Sequence, residues 1–122
     1  MAEHNLFGKE AENRAIQFLK DKGYEILERN WKFRKAEIDI IATDPKTGEI
    51  VIAEVKSRHE NPLIEPELAV DKKKRALLVG AADQYIVSNE IESDCRFDII
   101  TLEKIKGDWL IIHLEDAFTA FD

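Results

Sequence analysis

Two apolar segments joined by a turn-rich stretch constrain the fold of this chain more than any other feature of its sequence. Residues 37–41 and 50–56 are rich in isoleucine and valine, and residues 44–48 between them read Asp-Pro-Lys-Thr-Gly. Apolar segments that flank such a turn predict an antiparallel β-hairpin, here folded about Lys46-Thr47 with a loop of either two or four residues. The core of this chain is therefore expected to include a sheet that contains this hairpin.

The register of the predicted hairpin brings charged side chains together. Side chains alternate between the faces of a strand, so Asp39 would lie opposite Glu54, and Glu37 opposite Lys56. Cβ atoms of directly opposed residues are roughly 4.5–5.5 Å apart, and like charges at that distance are destabilising. The Asp39–Glu54 pair therefore needs a proton, a cation or solvent, and a divalent metal ion suits clustered carboxylate oxygens. A solvated hairpin in which Glu37 and Lys56 form an ordinary ion pair is the alternative.

The second apolar segment favours a functional site over the solvated hairpin. Residues 50–55 are apolar on both faces except at Glu54, which is typical of a central strand rather than an edge strand. A carboxylate in a central strand is costly unless it is paired or bound to a cation.

Composition bounds the class of protein. Hydrophobic residues make up 44% of the 122 residues, which argues against disorder and predicts a single domain over residues 1–122. Cys95 is the only cysteine, so no internal disulfide can form, as is typical of a reducing compartment. The sequence has neither an apolar signal segment nor a run of about 18 apolar residues, so we expect a cytoplasmic protein that does not enter a membrane.

Periodicity and turn residues predict seven elements. Helices are expected over residues 6–22 and 72–88, with Gly23 ending the first and Asp71 capping the second. Strands are expected over Tyr24–Phe33, Ala36–Thr43, Glu49–Ser57, Arg96–Leu102 and Trp109–Leu114, and a loop over residues 59–70. The apolar stripe of the second helix is Leu77, Leu78, Ala81, Ala82, Tyr85 and Ile86. The order α-β-β-β-α-β-β predicts an α/β domain built on a mixed sheet.

Glu12 occupies an unusual position on the first predicted helix. On a helical wheel it falls within about 60° of Ala15, Ile16 and Leu19, inside the apolar stripe. A carboxylate on the face that a helix presents to its sheet is uncommon, which makes Glu12 a candidate site residue. The alternative is a glutamate that favours the helix dipole or extends to the rim of the core.

The net charge of −7 argues against a general polyanion binder, but the charge is unevenly distributed. Residues 84–122 contain nine Asp or Glu and three Lys or Arg, whereas residues 29–75 contain eleven Lys or Arg and nine Asp or Glu. Within residues 29–35, four cations alternate with Trp31 and Phe33, as suits phosphate contact and base stacking. On spacing alone we prefer the alternative, a strand whose aromatic side chains enter the core while its cations are solvated.

An acidic residue followed on the next strand by Glu-X-Lys resembles the motif of the restriction endonuclease-like, or PD-(D/E)XK, superfamily. Here the motif is Asp39 with Glu54-Val55-Lys56. Over about residues 6–118 the chain resembles the YraN family, a widespread bacterial family with a nuclease-like fold, and it is distantly similar to archaeal Holliday-junction resolvases. The matching positions are Gly8-Lys9, Glu12, Ala15, Gly23-Tyr24, Arg29-Asn30-Trp31, residues 37–42, residues 54–58, Lys74, Ala82 and Arg96-Phe97-Asp98. Ala11 and Ala36 stand where the family usually has glycine.

The resemblance implies a restriction endonuclease-like fold, with a central mixed five-stranded sheet flanked by helices. It implies that Asp39 and Glu54, the Val55 carbonyl and Glu12 bind Mg²⁺ or Mn²⁺. Lys56 would complete the catalytic set by orienting water or stabilising negative charge. Nucleic-acid phosphates would be contacted by Arg29, Lys32, Arg34, Arg58 and Lys74.

Two functions follow as hypotheses. The first is a metal-dependent nuclease that hydrolyses phosphodiester bonds in branched or otherwise structured DNA. The alternative is a nucleic-acid-binding module with a nuclease-like fold and little or no activity, and a plain protein-interaction domain comes third. We expect DNA to be bound weakly, because the chain is acidic as a whole. The sequence leaves open a homodimer or a protein partner, and whether Glu37 pairs with Lys56 or belongs to the site.

Overall fold

A computed structural model of the protein describes residues 2–58 and 70–121, with side chains from Leu6 onward. Its elements follow one another in the predicted order α-β-β-β-α-β-β. They are α1 (Ala2–Asp21), β1 (Glu25–Phe33), β2 (Ala36–Thr43), β3 (Ile50–Arg58), α2 (Lys72–Ser88), β4 (Cys95–Ile105) and β5 (Asp108–Phe118). The predicted α/β class is confirmed, and the arrangement is consistent with a restriction endonuclease-like fold. The loop predicted over residues 59–70 lies, except for Val70, outside the described residues.

The five strands form one sheet in the order β1-β2-β3-β4-β5. All neighbours are antiparallel except β3 and β4, which are parallel and are connected through α2. The expectation that β3 is a central strand is therefore confirmed, since it has a partner on each side.

Several predicted boundaries are wrong by a few residues. Helix α1 begins at Ala2, because helix-forming residues extend it beyond the apolar stripe from which its start was placed. Strand β1 begins one residue later than predicted. Strands β4 and β5 are longer than predicted, because Lys106 and Gly107 have φ values of 51° and 84° and form a tight hairpin turn. Pairing then continues along both strands from the turn to Phe97 and Phe118.

The core has two layers, one on each face of the sheet. Alternation along β3 places Ile50 and Ile52 among the core residues packed on α2, and Val51 and Ala53 among those packed on α1. Four of the residues predicted for the apolar stripe of α2 are buried, namely Leu78, Ala81, Ala82 and Tyr85. Leu77 is a correction: it is 40% exposed, because it lies on the flank of the helix rather than on the face against the sheet.

Gly23 after α1 and Asp71 before α2 have the roles at the helix ends that the sequence predicts. Gly23 follows α1 with φ at 89°, its N–H bonds to the carbonyl of Lys20 at 2.9 Å, and the Tyr24 N–H bonds to the carbonyl of Leu19 at 3.0 Å. This is a Schellman termination. At α2, the Asp71 carboxylate accepts a hydrogen bond of 2.8 Å from the Lys74 N–H. None of the helices in the described part of the chain combines the length and apolar character needed to cross a bilayer.

Candidate functional site

The β2–β3 hairpin opens at the end remote from its turn. Paired residues run from Thr43 with Ile50 to Ile40 with Ala53, and the ladder stops there. This is the predicted register, and the loop is the four-residue alternative, because the Asp44 N–H bonds to the carbonyl of Glu49 at 3.0 Å. Beyond the last pair, β2 continues beside β1 and β3 continues beside β4. The sheet therefore splits at the position of Asp39 and Glu54.

The Asp39 carboxylate bridges the split. Its Oδ2 accepts a hydrogen bond of 2.8 Å from the backbone N–H of Val55 on β3, in place of a carbonyl of β2. The residues on either side of it pack on opposite layers, Ile38 on the α2 side and Ile40 on the α1 side. Residues two apart share a face in a regular strand, so alternation is broken at Asp39. This irregularity lets the site draw on residues from both helices.

Asp39 is held in an environment that favours its protonated form. Burial and the negative charges of Glu54 and Glu12 raise the pKa of Asp39 to about 7, against the Val55 hydrogen bond and the Lys74 charge, which lower it. Opposed carboxylates were expected to need a proton, a cation or solvent. In the metal-free protein a proton at Asp39 relieves part of the repulsion, and a lysine beside Glu54 relieves the rest.

Glu54 is buried, and Lys74 supplies its cation. The carboxylate is 5% exposed, and its Oε1 lies 2.6 Å from Lys74 Nζ. Its second oxygen, Oε2, is buried without a hydrogen-bond partner among the described residues. Burial acts to lower the pKa of Lys74, but the hydrogen bond and the charge of Glu54 outweigh it, so this pKa is raised. A buried carboxylate oxygen without a donor is costly and leaves an open ligand position.

Helix α1 contributes Glu12 to the same site. Its Oε1 accepts hydrogen bonds of 2.8 Å from Asn30 Nδ2 and 3.1 Å from an Arg29 guanidinium nitrogen. Asn30 has φ at 53°, a left-handed conformation that asparagine tolerates better than most residues. The β1–β2 pairs on either side of it are Arg29 with Ile40 and Trp31 with Ile38. Sequence reasoning missed Asn30 as a site residue, although an asparagine inside a predicted strand is a usable signal.

These groups line a cleft of about 450 Å³, which we call the carboxylate cleft. Its lining residues are Gly8, Glu12, Asn30, Lys35, Glu37, Asp39, Glu54, Val55, Ser57 and Lys74. It thus brings together Asp39, Glu54, Val55 and Glu12, the four predicted metal ligands, with one of the predicted phosphate-binding residues, Lys74. Gly8, Asn30, Lys35 and Ser57 were not among the predicted site residues.

The other predicted residues lie around the cleft rather than in its lining. Lys56 lies close enough to Lys74 to affect its pKa. Arg29 is bound to Glu12, and Arg58 forms a long ion pair of 3.6 Å with Glu103. Lys32 and Arg34 are exposed.

Two alternatives left open by the sequence are resolved by the geometry. In the described part of the chain no ion pair joins Glu37 to Lys56, because β2 and β3 have already diverged; Glu37 lines the cleft instead. The rings of Trp31 and Phe33 pack against the core on the α2 side, while Lys32 between them is exposed. The two rings thus pack on the core as the alternative for residues 29–35 expected, and both are only partly buried.

No ready-made metal-binding group of three or more His, Cys, Asp or Glu side chains occurs within residues 2–58 and 70–121. The reason is visible in the contacts of the carboxylates: Glu12 is turned to Asn30 and Arg29, and Glu54 is turned to Lys74. The donor set nevertheless suits a hard divalent cation, because the buried carboxylate of Glu54, the half-buried carboxylate of Asp39 and the Val55 carbonyl are oxygen ligands. The unpartnered Oε2 of Glu54 could bind an ion directly, whereas Oε1 would first have to release Lys74.

Comparison with known proteins agrees with the resemblance drawn from the motifs. The family model described as "Uncharacterised protein family UPF0102" matches residues 11–102. A UPF0102 protein of Flavobacterium psychrophilum is 47% identical over 121 residues, covering 99% of this chain and 100% of the relative. A UPF0102 protein of Parabacteroides distasonis is 45% identical over 120 residues, covering 98% of each chain. This chain therefore belongs to the UPF0102 family, the family of YraN-like proteins.

Proposed function

We propose that this protein is a metal-dependent nuclease that hydrolyses phosphodiester bonds in structured DNA. The observation that carries the proposal is the pairing of Asp39 and Glu54 at the split in the sheet. One carboxylate has a pKa of about 7, and the other has a buried oxygen without a partner among the described residues. A carboxylate with a raised pKa beside a second, buried carboxylate in a cleft is more typical of a functional site than of a structural ion pair.

Asp39 and Glu54, with the carbonyl of Val55, are the residues that would hold Mg²⁺ or Mn²⁺, and Glu12 would approach it from α1. A bound ion would supply Lewis-acid polarisation of a phosphate oxygen and would acidify a water molecule. The charge of the ion would also favour ionised Asp39, against the burial and the repulsion from Glu54 and Glu12 that raise its pKa. The Val55 N–H keeps the Asp39 carboxylate oriented, so that little rearrangement of β2 is needed.

Two lysines are placed to act on negative charge in the same cleft. Lys74 extends from α2 to Glu54, and Lys56 lies beside Lys74. With an ion held by Glu54, Lys74 would be available to contact a phosphate oxygen. Lys56 would then stabilise charge that develops on the phosphate in the transition state. These are the roles expected from the sequence, phosphate binding for Lys74 and catalysis for Lys56.

The first turn of α2 adds to the positive potential beside the cleft. Residues 72–75 read Lys-Lys-Lys-Arg, and the first turn contains no acidic residue. Cations at a helix N-terminus oppose the helix dipole, at a cost of a few tenths of a kcal/mol each at an exposed site. That placement is better explained by attraction of phosphate than by helix stability. The acidic net charge of the chain limits this attraction, which supports weak, salt-sensitive DNA binding.

A second candidate is a nucleic-acid-binding module with little or no turnover. It is favoured by one observation: cationic or amide partners already hold one oxygen of each glutamate. Oε1 of Glu12 is bound by Asn30 and Arg29, and Oε1 of Glu54 is bound by Lys74. A stable Glu54–Lys74 pair would leave phosphate binding intact while preventing metal-dependent chemistry.

Cleavage with Mn²⁺ of a panel of duplex, single-stranded, flap and four-way-junction DNA separates the two candidates. We expect the wild type to cleave at least one branched substrate, and Asp39→Asn to cleave none. Asp83→Asn on the exposed side of α2 is the matched control and should cleave as the wild type does. DNA binding without cleavage of any substrate, together with no Mn²⁺-induced rise in melting temperature, would leave the binding module as the correct assignment.

A further inference from the structure

A chain of recesses leads away from the carboxylate cleft along the flank of α2. Next to the cleft is a recess of about 240 Å³ that shares Lys35, Glu37 and Lys74 with it; we call this the basic bridge. Beyond it lies a recess of about 340 Å³, which we call the apolar recess. Its lining residues are Phe33, Arg34, Lys35, Ala36, Ala76, Leu77, Gly80 and Ala81.

The apolar recess has a floor without charge and a charged rim. Helix α2 lines it with Ala76, Leu77 and Gly80, and β1 lines it with the half-buried ring of Phe33. Leu77 was expected in the core, and its 40% exposure is accounted for by its place in this wall. The guanidinium of Arg34 lies 5.1 Å from the centre of the Phe33 ring, at the rim.

The charge of this region is opposite to that of the whole chain. The linings of the basic bridge and the apolar recess include four cations, Arg34, Lys35, Lys73 and Lys74, and two acids, Glu37 and Asp71. The Asp71 carboxylate is engaged in capping α2. An apolar surface rimmed by cations, on a chain with a net charge of −7, selects a ligand that is both negatively charged and flat or apolar.

We propose that the apolar recess binds the base of an unpaired nucleotide, while the basic bridge binds the phosphates that connect this nucleotide to the carboxylate cleft. A strand held in this way has its phosphates along Lys73, Lys74 and Lys35 and a base against the apolar lining of the recess, beside the Arg34 guanidinium that lies over the Phe33 ring. A base inside a duplex is not available for such contact. The recess therefore selects DNA with a single-stranded segment next to the cleaved bond, and this inference rests on the proposed nuclease function.

Gly80 offers a way to close the recess without disturbing the core. A Cβ added at Gly80 meets no atom within 4 Å, so a larger side chain at this helical position extends into open space. Gly80→Leu fills the recess and leaves every cation in place. Gly80→Ala is the matched control, because it makes the same backbone change and leaves most of the recess open. Both variants should melt no lower than the wild type, because alanine and leucine favour helix over glycine.

The test compares two probes of equal charge in metal-free buffer at low salt: a twelve-residue thymidine oligonucleotide and a fully abasic oligonucleotide of the same length. We expect the wild type and Gly80→Ala to bind the thymidine oligonucleotide roughly tenfold more tightly than the abasic one. Gly80→Leu should bind both with the affinity of the wild type for the abasic oligonucleotide, because its phosphate contacts are intact.

Two outcomes overturn the proposal. The first is a base preference other than the expected one: either the wild type binds the two oligonucleotides equally, or Gly80→Leu still prefers the thymidine oligonucleotide. The other is a change of oligomeric state in Gly80→Leu on sedimentation, which would assign the recess to a second copy of the chain. Neither outcome depends on cleavage, so failure of the recess and failure of the nuclease assignment are distinguishable. Conversely, loss of cleavage in Asp39→Asn with an unchanged base preference would confirm the two sites independently.

Discussion

Asp39 holds together two strands that have begun to separate, and it does so with a side chain that the fold keeps partly protonated near neutral pH. Its carboxylate bonds to the Val55 N–H, while Glu54 and Glu12 oppose its negative charge. Ionisation of Asp39 therefore lowers the stability of the metal-free protein. A bound cation would offset this loss of stability, so that the stability of the hairpin would depend on occupation of the site.

The stability lost when Asp39 ionises depends on pH, which gives a first prediction. The folded-state pKa of Asp39 is about 7, whereas its ordinary value is 3.8, so the folded chain holds this proton more tightly and its contribution to stability falls as pH rises between these values. Asp39→Asn cannot ionise and still offers an oxygen to the Val55 N–H. In EDTA we expect it to match the wild type near pH 3.5 and to be roughly 2–4 kcal/mol more stable near pH 8. Urea unfolding at the two pH values measures this, with Asp83→Asn as control; an advantage independent of pH would contradict it.

A second prediction concerns the cation that now occupies Glu54. Lys74→Met leaves a buried carboxylate without its partner and should cost roughly 1–2 kcal/mol in metal-free buffer, a figure kept low because Lys74 is 41% exposed. Glu54→Gln in the same chain should recover most of that loss, since the unpaired charge is then gone. Lys73→Met, one residue away and exposed, is the control and should change little. Mn²⁺ should raise the melting temperature of Lys74→Met more than that of the wild type, because the ion no longer competes with the positive charge of a lysine at Glu54. Additive effects of the two substitutions would show that the pair is not coupled.

At the scale of elements, the end of α1 sets where β1 enters the sheet and hence where Asn30 meets Glu12. The turn depends on Gly23, whose φ is 89° and whose added Cβ would lie 3.4 Å from Pro45 in the β2–β3 loop. Glycine adopts this conformation without steric cost, whereas other residues do not. The termination of a helix thus also positions the hairpin that contains the site.

The same substitution at two glycines of this helix should have opposite effects. Gly23→Ala should cost about 1 kcal/mol, because alanine is strained at positive φ. Gly8→Ala, inside α1 with no atom within 4 Å of an added Cβ, should stabilise by roughly 0.5–1 kcal/mol. Chemical denaturation of both variants in EDTA gives the comparison. A destabilised Gly8→Ala would mean that this position needs glycine for some contact in the carboxylate cleft.

Sequence patterns predicted these elements well where local rules govern them. The β2–β3 register follows from its turn and its apolar alternation, and Asp71 and Gly23 are recognisable helix ends. The divergence of β2 and β3 after Ile40 could not be predicted, because it depends on each strand keeping a different neighbour. Asn30 was missed for the same reason, since its role exists only once α1 packs beside β1.

At the scale of the whole molecule, the end of the sheet opposite the carboxylate cleft is held by a buried network around Arg96. This guanidinium is 7% exposed and contacts both oxygens of Asp98 at 2.9 Å, Asp44 at 2.8 Å and the Tyr24 hydroxyl at 3.0 Å. Asp98 in turn bonds to His113 on β5 at 2.6 Å. The Arg-Phe-Asp motif, which the sequence marked without a role, therefore joins the start of β1, the β2–β3 loop, β4 and β5. This network could not be predicted from the sequence, because the partners of Arg96 and Asp98 are distant from them along the chain.

The network predicts a loss of stability in acid that is independent of the cleft. Burial acts to raise the pKa of Asp44, but hydrogen bonds from the Lys46 N–H, Arg96 and Tyr24 outweigh it and lower this pKa to about 2. A carboxylate with a depressed pKa stabilises the fold above its ordinary value, and this stabilisation is lost as pH falls from about 4 towards 2.

Asp44→Asn should therefore lower the free energy of unfolding by roughly 1–3 kcal/mol at pH 7 and by much less near pH 2.5, where the wild-type group is largely protonated in the unfolded state and partly so in the folded state. Arg96→Met, which leaves Asp98 and Asp44 buried without their cation, should cost roughly 3–5 kcal/mol at pH 7. Urea unfolding between pH 2.5 and pH 7 measures both, and the exposed Asp83→Asn serves as control. A difference between Asp44→Asn and the wild type that stays constant over this range would mean that Asp44 contributes through packing and hydrogen bonds rather than through its charge. The acid sensitivity would then have to come from Asp98, whose pKa is also lowered because the hydrogen bonds from His113 and Arg96 outweigh the effect of burial.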